Sequence, residues 1–360
     1  MSDGASAKWR LPSVLFEVTS RCNLQCSYCY NVYNREGCRT PEPGNFDTAM
    51  ATLHRLFELA AVDSVTMSGG EPFLAERFTD IVAFCRKEGK SVLITSNGNG
   101  GTDEQLTTAV RLGVRTFVMP CHSLRAEEHD AMTGVQGSHG RALQSLLHLK
   151  QLGASPAPII VLTRLNYQSI TETLCFLKEQ GFRRMIVNRF NFGGRGLAGA
   201  RQITLSVAEL RNTYDRVNDM AARCGLWVTS NVCTPHCVLD PDRYLRIGFG
   251  ACDIQFRNRP LTLDVHGNVR FCNHSPVRMG NIFEQSIEEI LSTPYAHRWE
   301  STVPEFCADC TRWEKCVGGC RAAAEQMGLD MTHVDPIALM EPHGAPAAPL
   351  FADDANPTHP

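Results

Sequence analysis

Val14-Leu15-Phe16-Glu17-Val18-Thr19 runs through Ser20-Arg21 into Cys22-Asn23-Leu24-Gln25-Cys26-Ser27-Tyr28-Cys29-Tyr30. Apolar and β-branched residues dominate the first six positions, which read as a strand. A C-x3-C-x2-C loop follows at once. Three thiolates on one short loop can face a common centre, and thiolate is a soft ligand that selects zinc, copper(I) or iron–sulfur. A structural zinc usually takes four ligands. The local fourth is missing here, and Cys38 lies nine residues on. A cube-type cluster held by three cysteines leaves one iron open to another ligand.

Outward from this strand the same alternation repeats. Ser64–Met67, Ser91–Thr95, Arg115–Met119, Ile159–Leu162 and Arg184–Asn188 read as strands two to six. Stretches of helical spacing follow them in turn: Phe46 to Ala61, Phe78 to Glu88, Asp103 to Leu112, Ala142 to Leu152 and Ile170 to Gln180. Asp47 and Asp103 read as helix-start residues. Strand–helix units of about 30 residues predict a parallel sheet with outer helices. Eight would close an ordinary barrel. Six predict an α/β fold of the partial (β/α)6 TIM type, with ligands at the carboxyl ends of the strands. The reading divides the chain into an extension (1–12), the partial barrel (13–200), a bridging region with one amphipathic helix (201–250), a cysteine-rich domain (251–335) and a disordered tail (336–360).

The chain has 360 residues and a net charge of −3, with 20% charged and 43% hydrophobic residues. This is a soluble composition, and it offers neither nucleic acid nor an anionic membrane an electrostatic footprint. No apolar run approaches the roughly 18 residues a span requires, and no export signal opens the chain. The 16 cysteines therefore read as reduced thiols of a cytoplasmic protein, and clustered ones as metal ligands.

The loop at Cys22, Cys26 and Cys29, with the aromatic Tyr28 before its last cysteine, resembles the signature of the radical S-adenosylmethionine (SAM) superfamily. The resemblance implies a [4Fe-4S] cluster on these three cysteines, its open iron chelated by the amino and carboxylate groups of SAM. Reduction then yields methionine and a 5′-deoxyadenosyl radical that abstracts a substrate hydrogen. Strand two ends in Ser68-Gly69-Gly70-Glu71-Pro72, similar to the family's GGEP motif. Two glycines let a ligand approach the backbone, and Glu71 can accept from the SAM ammonium. Tyr28, Gly69, Gly70, Glu71, Ser96, Asn97 and Ser123 form the SAM-binding set that the resemblance implies. Arg125-Ala126 departs from the family's Asp-Gly after that serine, and His129–Gly134 has no arginine, so the group holding the SAM carboxylate stays open. Arg189 and Arg195 flank the end of strand six, where the family contacts SAM or an acidic substrate, or where arginines merely pair with carboxylates. Cys121 and His122, at the mouth of strand four, are candidate catalytic residues.

A second pattern begins at Cys252: fourteen residues, Gly267, four residues, Cys272, a gap, then Cys307-x2-Cys310-x5-Cys316-x3-Cys320. It resembles the SPASM extension of radical SAM enzymes, which implies two auxiliary [4Fe-4S] clusters. By that resemblance auxiliary cluster one takes Cys252, Cys272, Cys320 and an upstream cysteine, Cys237 being chosen before Cys233. Auxiliary cluster two takes Cys307, Cys310 and Cys316. The pattern's final cysteine is absent. Asp330, His333 and Asp335 are the candidate fourth ligands, and an open iron is the alternative.

The expectation is a radical SAM/SPASM enzyme acting on a ribosomally made peptide by crosslinking, oxidation or epimerisation. It would be served by a reducing partner such as flavodoxin or ferredoxin. The short stretch before strand one further suggests a separate peptide-recognition protein. Two alternatives stand: a small-molecule dehydrogenase or epimerase in antibiotic or cofactor biosynthesis, and a non-catalytic protein with structural zinc at both cysteine regions.

Overall fold

The computed structural model describes residues 8–34, 44–255 and 260–340. Cys38 and the tail from 341 onward lie outside the described residues. Six strands form the centre: β1 (Trp9–Thr19), β2 (Ala60–Gly69), β3 (Ser91–Thr95), β4 (Thr116–Pro120), β5 (Ser155–Leu162) and β6 (Arg184–Arg189). They lie side by side in chain order and all parallel. Between them run α1 (Phe46–Leu59), α2 (Phe78–Lys87), α3 (Asp103–Arg111), α4 (Ala126–Thr133), α5 (Ser138–Gln151) and α6 (Ile170–Glu179). This is the partial barrel that the strand–helix alternation predicts. Phe16, Met67, Ile94, Phe117, Ile160 and Val187, one from each strand, are fully buried. Each such side chain contributes roughly 1.5–3 kcal/mol on leaving water. α1 and α3 start on local side-chain caps. Asn45 accepts from Thr48 N–H at α1, and Thr102 with Gln105 forms a capping box at α3. Asp47 and Asp103 thus stand inside the first turns, where the helix dipole favours a carboxylate.

The sheet does not stop at six strands. β7 (Trp227–Ser230) pairs parallel to β6, and β8 (Ile247–Phe249) parallel to β7. At the other edge β9 (Leu261–Asp264) pairs parallel to β1, and β10 (Asn268–Arg270) and β11 (Gly280–Asn281) follow antiparallel. The result is one eleven-stranded sheet in the order β11-β10-β9-β1 through β8. The cysteine-rich region therefore grows from the barrel's first edge. Arg270 on β10 makes a buried ion pair with Glu17 on β1, and Tyr33 donates to the same carboxylate. Removing either charge would leave the other buried and uncompensated.

Six further helices complete the chain: α7 (Ala200–Ile203), α8 (Val207–Cys224), α9 (Ile287–Leu291), α10 (Pro294–Ser301), α11 (Trp313–Cys316) and α12 (Arg321–Gln326). α8 opens on a Ser206–Glu209 capping box and buries Val207, Leu210, Tyr214, Val217 and Ala221 at helical spacing. The Tyr214 hydroxyl lies 2.9 Å from both Val187 O and Ser230 Oγ, which pins α8 across β6 and β7. The expected disordered tail is corrected at its start. Pro336–Met340 is a short 3-10 helix whose Pro336, Ile337 and Ala338 are buried. The Asp335 carboxylate accepts from Ile337 N–H at 3.2 Å, which anchors this turn. Among the described residues no helix is long and apolar enough to cross a membrane.

Candidate metal and cofactor site

The loops leaving the carboxyl ends of β1, β2, β3, β4 and β6 gather round the first cysteine loop. Gln25 and Ser27 N–H donate to Thr133 O and Met132 O at 3.0 and 2.9 Å, which lays the loop on the end of α4. Gly196 N–H donates to Cys29 O at 3.1 Å from the turn after β6. Each of the three sulfurs has its own side-chain donor. Asn97 Nδ2 lies 3.7 Å from Cys22 Sγ, Asn34 Nδ2 lies 3.3 Å from Cys29 Sγ, and the Tyr28 hydroxyl bonds Cys26. Burial pushes the Cys26 thiol up to about 12, while the Arg195 guanidinium nearby pulls the other way. A bound metal would overcome the desolvation and hold all three as thiolates.

Gly69 and Gly70 also leave no room for a side chain against the chain itself. A Cβ on Gly70 would stand 2.1 Å from Arg21 O, and one on Gly69, at φ +132°, 2.2 Å from Thr19 O. It is the chain's own cysteine loop that comes this close. Gly70 and Glu71 N–H bond Thr19 O and Arg21 O at 2.8 and 2.7 Å. The glycines fix where the thiols stand relative to β2.

Glu71 is also turned inward. It is fully buried, and its carboxylate accepts from Asn97 N–H at 2.6 Å, Ser96 Oγ at 2.9 Å and Phe73 N–H at 3.2 Å. Burial holds its carboxyl up at about 7. The folded chain therefore keeps this proton between about 4.5 and about 7, where the unfolded chain has lost it. Stability from this group falls as pH rises through that window. Glu71→Gln has no such proton to lose, so its urea midpoint should fall less across the window than that of the wild type. The substitution should cost about 1–3 kcal/mol above that window, where the ionised carboxylate satisfies donors that an amide nitrogen would face.

Ser123 is buried. Its Oγ donates to Glu128 at 2.7 Å and accepts from Arg125 N–H at 3.0 Å, so it organises the start of α4. Cys121 is corrected from the mouth to the core. It is 1% exposed, and burial raises its thiol to about 12. His122 is buried and neutral, its pKa well below the usual imidazole value by desolvation. Its Nδ1 accepts from Val161 N–H at 3.2 Å, which leaves the ring proton on Nε2, 2.6 Å from the Tyr28 hydroxyl. The Tyr28 hydrogen is thereby directed at Cys26. Arg189 does not face a ligand. It forms a buried ion pair with Asp335 and donates to Cys233 O at 2.8 Å.

The second cysteine region divides into two groups. Cys233 bonds Cys252, and the charges of Cys320 and Cys272 bear on it as well. Asn191 Nδ2 and His274 Nδ1 stand 3.4 and 3.3 Å from Cys320 Sγ. The other group, Cys237, Cys307, Cys310 and Cys316, lines a cavity of about 310 Å³. The structure thus sets Cys233, rather than the expected Cys237, beside Cys252, Cys272 and Cys320. Three residues separate the two thiols, and each stands with a different group. Asp330 and His333 pair with one another on the surface, and Asp335 is held by Arg189 and by Cys320 N–H. None of the three lines the cavity. Among the described residues no set of side chains closes tightly enough to grip a bare metal ion. The donor sets are nonetheless thiolate-rich, as soft metals require. The first loop and the Cys320 group meet through Tyr30 and His274, whose rings pack edge-on at 5.0 Å. Asn34, Asn191 and His274 carry no local signal in the sequence, because only the folded chain brings them to sulfur.

Residues 16–177 match the family model of the radical SAM superfamily, and residues 252–311 that of SPASM, an iron-sulfur cluster-binding domain. The chain is 24% identical over 355 residues to the PqqA peptide cyclase of Xanthomonas euvesicatoria pv. vesicatoria (strain 85-10), covering 96% of this chain and 92% of that protein. It is 23% identical over 344 residues to the AdoMet-dependent heme synthase of Nitratidesulfovibrio vulgaris, covering 91% and 92%. Among solved structures, Streptococcus suis SuiB bound to precursor peptide SuiA superposes with a TM-score of 0.70 at 18% identity, over 90% of this chain and 75% of that one. Native anSMEcpe with bound AdoMet gives 0.70 at 16% identity over 91% and 94%. At these identities the two structures speak for the fold.

Proposed function

The chain carries a radical SAM domain and a SPASM domain, and from that premise we propose that it modifies a ribosomally synthesised peptide by hydrogen abstraction. The two domains imply SAM and iron–sulfur clusters. A four-iron cluster bound at Cys22, Cys26 and Cys29 would supply the electron that splits SAM into methionine and the 5′-deoxyadenosyl radical. The observation that carries the reading is this thiol triad at the carboxyl end of β1. Every sulfur has a side-chain donor, and the backbone after β2 is locked against the loop.

The chain's own residues then have separate tasks. Asn97, Tyr28 and Asn34 stabilise negative charge on the three sulfurs. Glu71 holds the β3 turn that presents Asn97, and Arg195 offers a cation beside Cys26 for the SAM carboxylate. Cys233, Cys252, Cys272 and Cys320 would hold one auxiliary cluster. Cys307, Cys310 and Cys316 would hold another, which makes three in all. Hydrogen bonds to ligand sulfur favour the reduced cluster. Tyr28→Phe should therefore lower the potential of the first cluster. Losing about 1 kcal/mol of hydrogen bonding corresponds to a shift on the order of 40 mV for one electron. An EPR-monitored titration reads this directly, and an unchanged potential would remove Tyr28 from this role.

Peptide as substrate is supported by the PqqA peptide cyclase relative, matched over 92% of its length, and by the fold shared with SuiB, solved with its precursor peptide. The heme synthase relative favours the second reading, a small-molecule substrate. The test incubates the anaerobically reconstituted enzyme with SAM, reductant and the short peptides encoded beside its gene. Mass spectrometry should show a crosslinked or oxidised peptide lighter by two hydrogens, or deuterium uptake from heavy water on epimerisation. If every peptide emerges unaltered while a small molecule stimulates 5′-deoxyadenosine release, the peptide reading fails.

A further inference from the structure

The SPASM pattern expects its last ligand downstream of Cys320, and no cysteine follows. Upstream, outside the matched segment 252–311, the turn Cys233-Thr234-Pro235-His236-Cys237 lies against the cysteine-rich turn Cys316-Val317-Gly318-Gly319-Cys320. A Cβ on Gly319 would stand 2.6 Å from Pro235 Cδ and Cγ, so the two turns are in contact. His236 N–H points at Cys316 Sγ, 3.2 Å away. On the far side, Arg211 of α8 donates to Cys237 O at 2.6 Å and to Val238 O at 2.9 Å. The turn is thus fixed from both sides. Cys237 is carried to the wall of the cavity that Cys307, Cys310 and Cys316 also line.

We infer that Cys237 is the fourth thiolate of the cluster at Cys307, Cys310 and Cys316, supplied from before the SPASM pattern rather than after it. The inference rests on the reading of that cavity as a cluster site. It gives the turn a two-sided role. Cys233 and Cys237 each serve a different cluster, as Cys320 and Cys316 do on the facing turn. Two C-x3-C turns, one from each side of the region, then clasp both clusters. It also removes the need for a carboxylate or imidazole ligand. Asp330 and His333 bond each other at 2.9 Å on the surface, and Asp335 is consumed by Arg189. The backbone between Cys316 and Cys320 is shaped for this packing. Val317, Gly318 and Gly319 all have positive φ, at 46°, 75° and 81°, and a β-branched residue there is strained.

The test needs no turnover. The holoprotein, reconstituted under argon, is alkylated with iodoacetamide before and after the clusters are stripped, and Cys237 is followed by mass spectrometry. Cys237 is an exposed thiol in the chain itself, so protection in the holoprotein and labelling after stripping is the expected result. In parallel, the Cys307/Cys310/Cys316→Ala variant should lose about four irons. Cys237→Ala should keep most of that iron but yield a three-iron EPR signal on mild oxidation. Asp330→Ala and His333→Ala should match the wild type in both measurements. If the triple variant loses four irons while Cys237 labels equally in both states, the inference fails and the cluster stands. If the triple variant loses none, the cluster is absent and both readings fall. A three-iron signal from His333→Ala or Asp330→Ala would overturn the inference in favour of that residue.

Discussion

Replacing Cys22, Cys26 and Cys29 together by alanine is expected to remove about four irons per chain and to bring SAM cleavage down to the level of a protein-free control. The cysteines of the second region are distant in sequence and hold their own positions, so their iron should remain. The first loop is itself secured by backbone. Gln25 and Ser27 bond the end of α4, and Glu71 N–H bonds Arg21 O. Loss of the thiols therefore empties the site without loosening the loop that forms it. Iron and sulfide analysis, together with chromatography of 5′-deoxyadenosine, reads both effects. A protein that keeps all its iron would move the first cluster elsewhere. Zinc in place of iron in wild type and variant alike would leave a structural metal protein.

The strands that build the barrel could be read because each is a short apolar run between helical segments, and that periodicity is local. The cysteine loops could be read for the same reason. What local spacing cannot show is which distant segment a side chain meets. Gly69 and Gly70 read as openings for a ligand, but the atoms that demand them are Thr19 O and Arg21 O, some fifty residues earlier. Glu71 reads as an available acceptor, and the turn after β3, far from it in sequence, supplies two of its donors. Cys121 and His122 read as mouth residues because β4 ends beside them, but α4 and β5 close over both. Cys233 and Cys237 are the sharpest case. Their spacing is compatible with either cluster, and only the fold sets Cys233 beside Cys252 and Cys237 on the wall of the other cavity. The extra sheet strands follow the same rule. β9 is recognisable as a strand, but its partner β1 lies 247 residues earlier, Val14 opposite Leu261.

Arg189→Met should destabilise the folded chain by about 3–5 kcal/mol, the cost of leaving one member of a buried ion pair alone. The pair sits where β6 meets the cysteine-rich region. The Arg189 and Asp335 side chains are 1% and 0% exposed. Arg189 also donates to Thr234 Oγ1 at 3.0 Å, Phe190 O at 3.0 Å and Cys233 O at 2.8 Å, and Asp335 accepts from Cys320 N–H at 2.8 Å. These bonds place Cys233 and Cys320 on either side of one proposed cluster, so stability and iron content should fall together. Replacing both charges, as Arg189→Met with Asp335→Leu, removes the uncompensated carboxylate and should recover part of the loss. It should not recover all of it, because Cys320 N–H and Cys233 O would still lack partners. Arg189→Lys keeps the charge but not the fork, and should fall between wild type and methionine. Urea unfolding with iron analysis on these proteins and on the Asp335→Leu single variant gives the coupling. If Arg189→Met unfolds at the wild-type midpoint with its iron intact, the pair is neither a brace nor a placement device. If the double variant is worse than the sum of its singles, the cost lies in the lost hydrogen bonds rather than in the stranded charge.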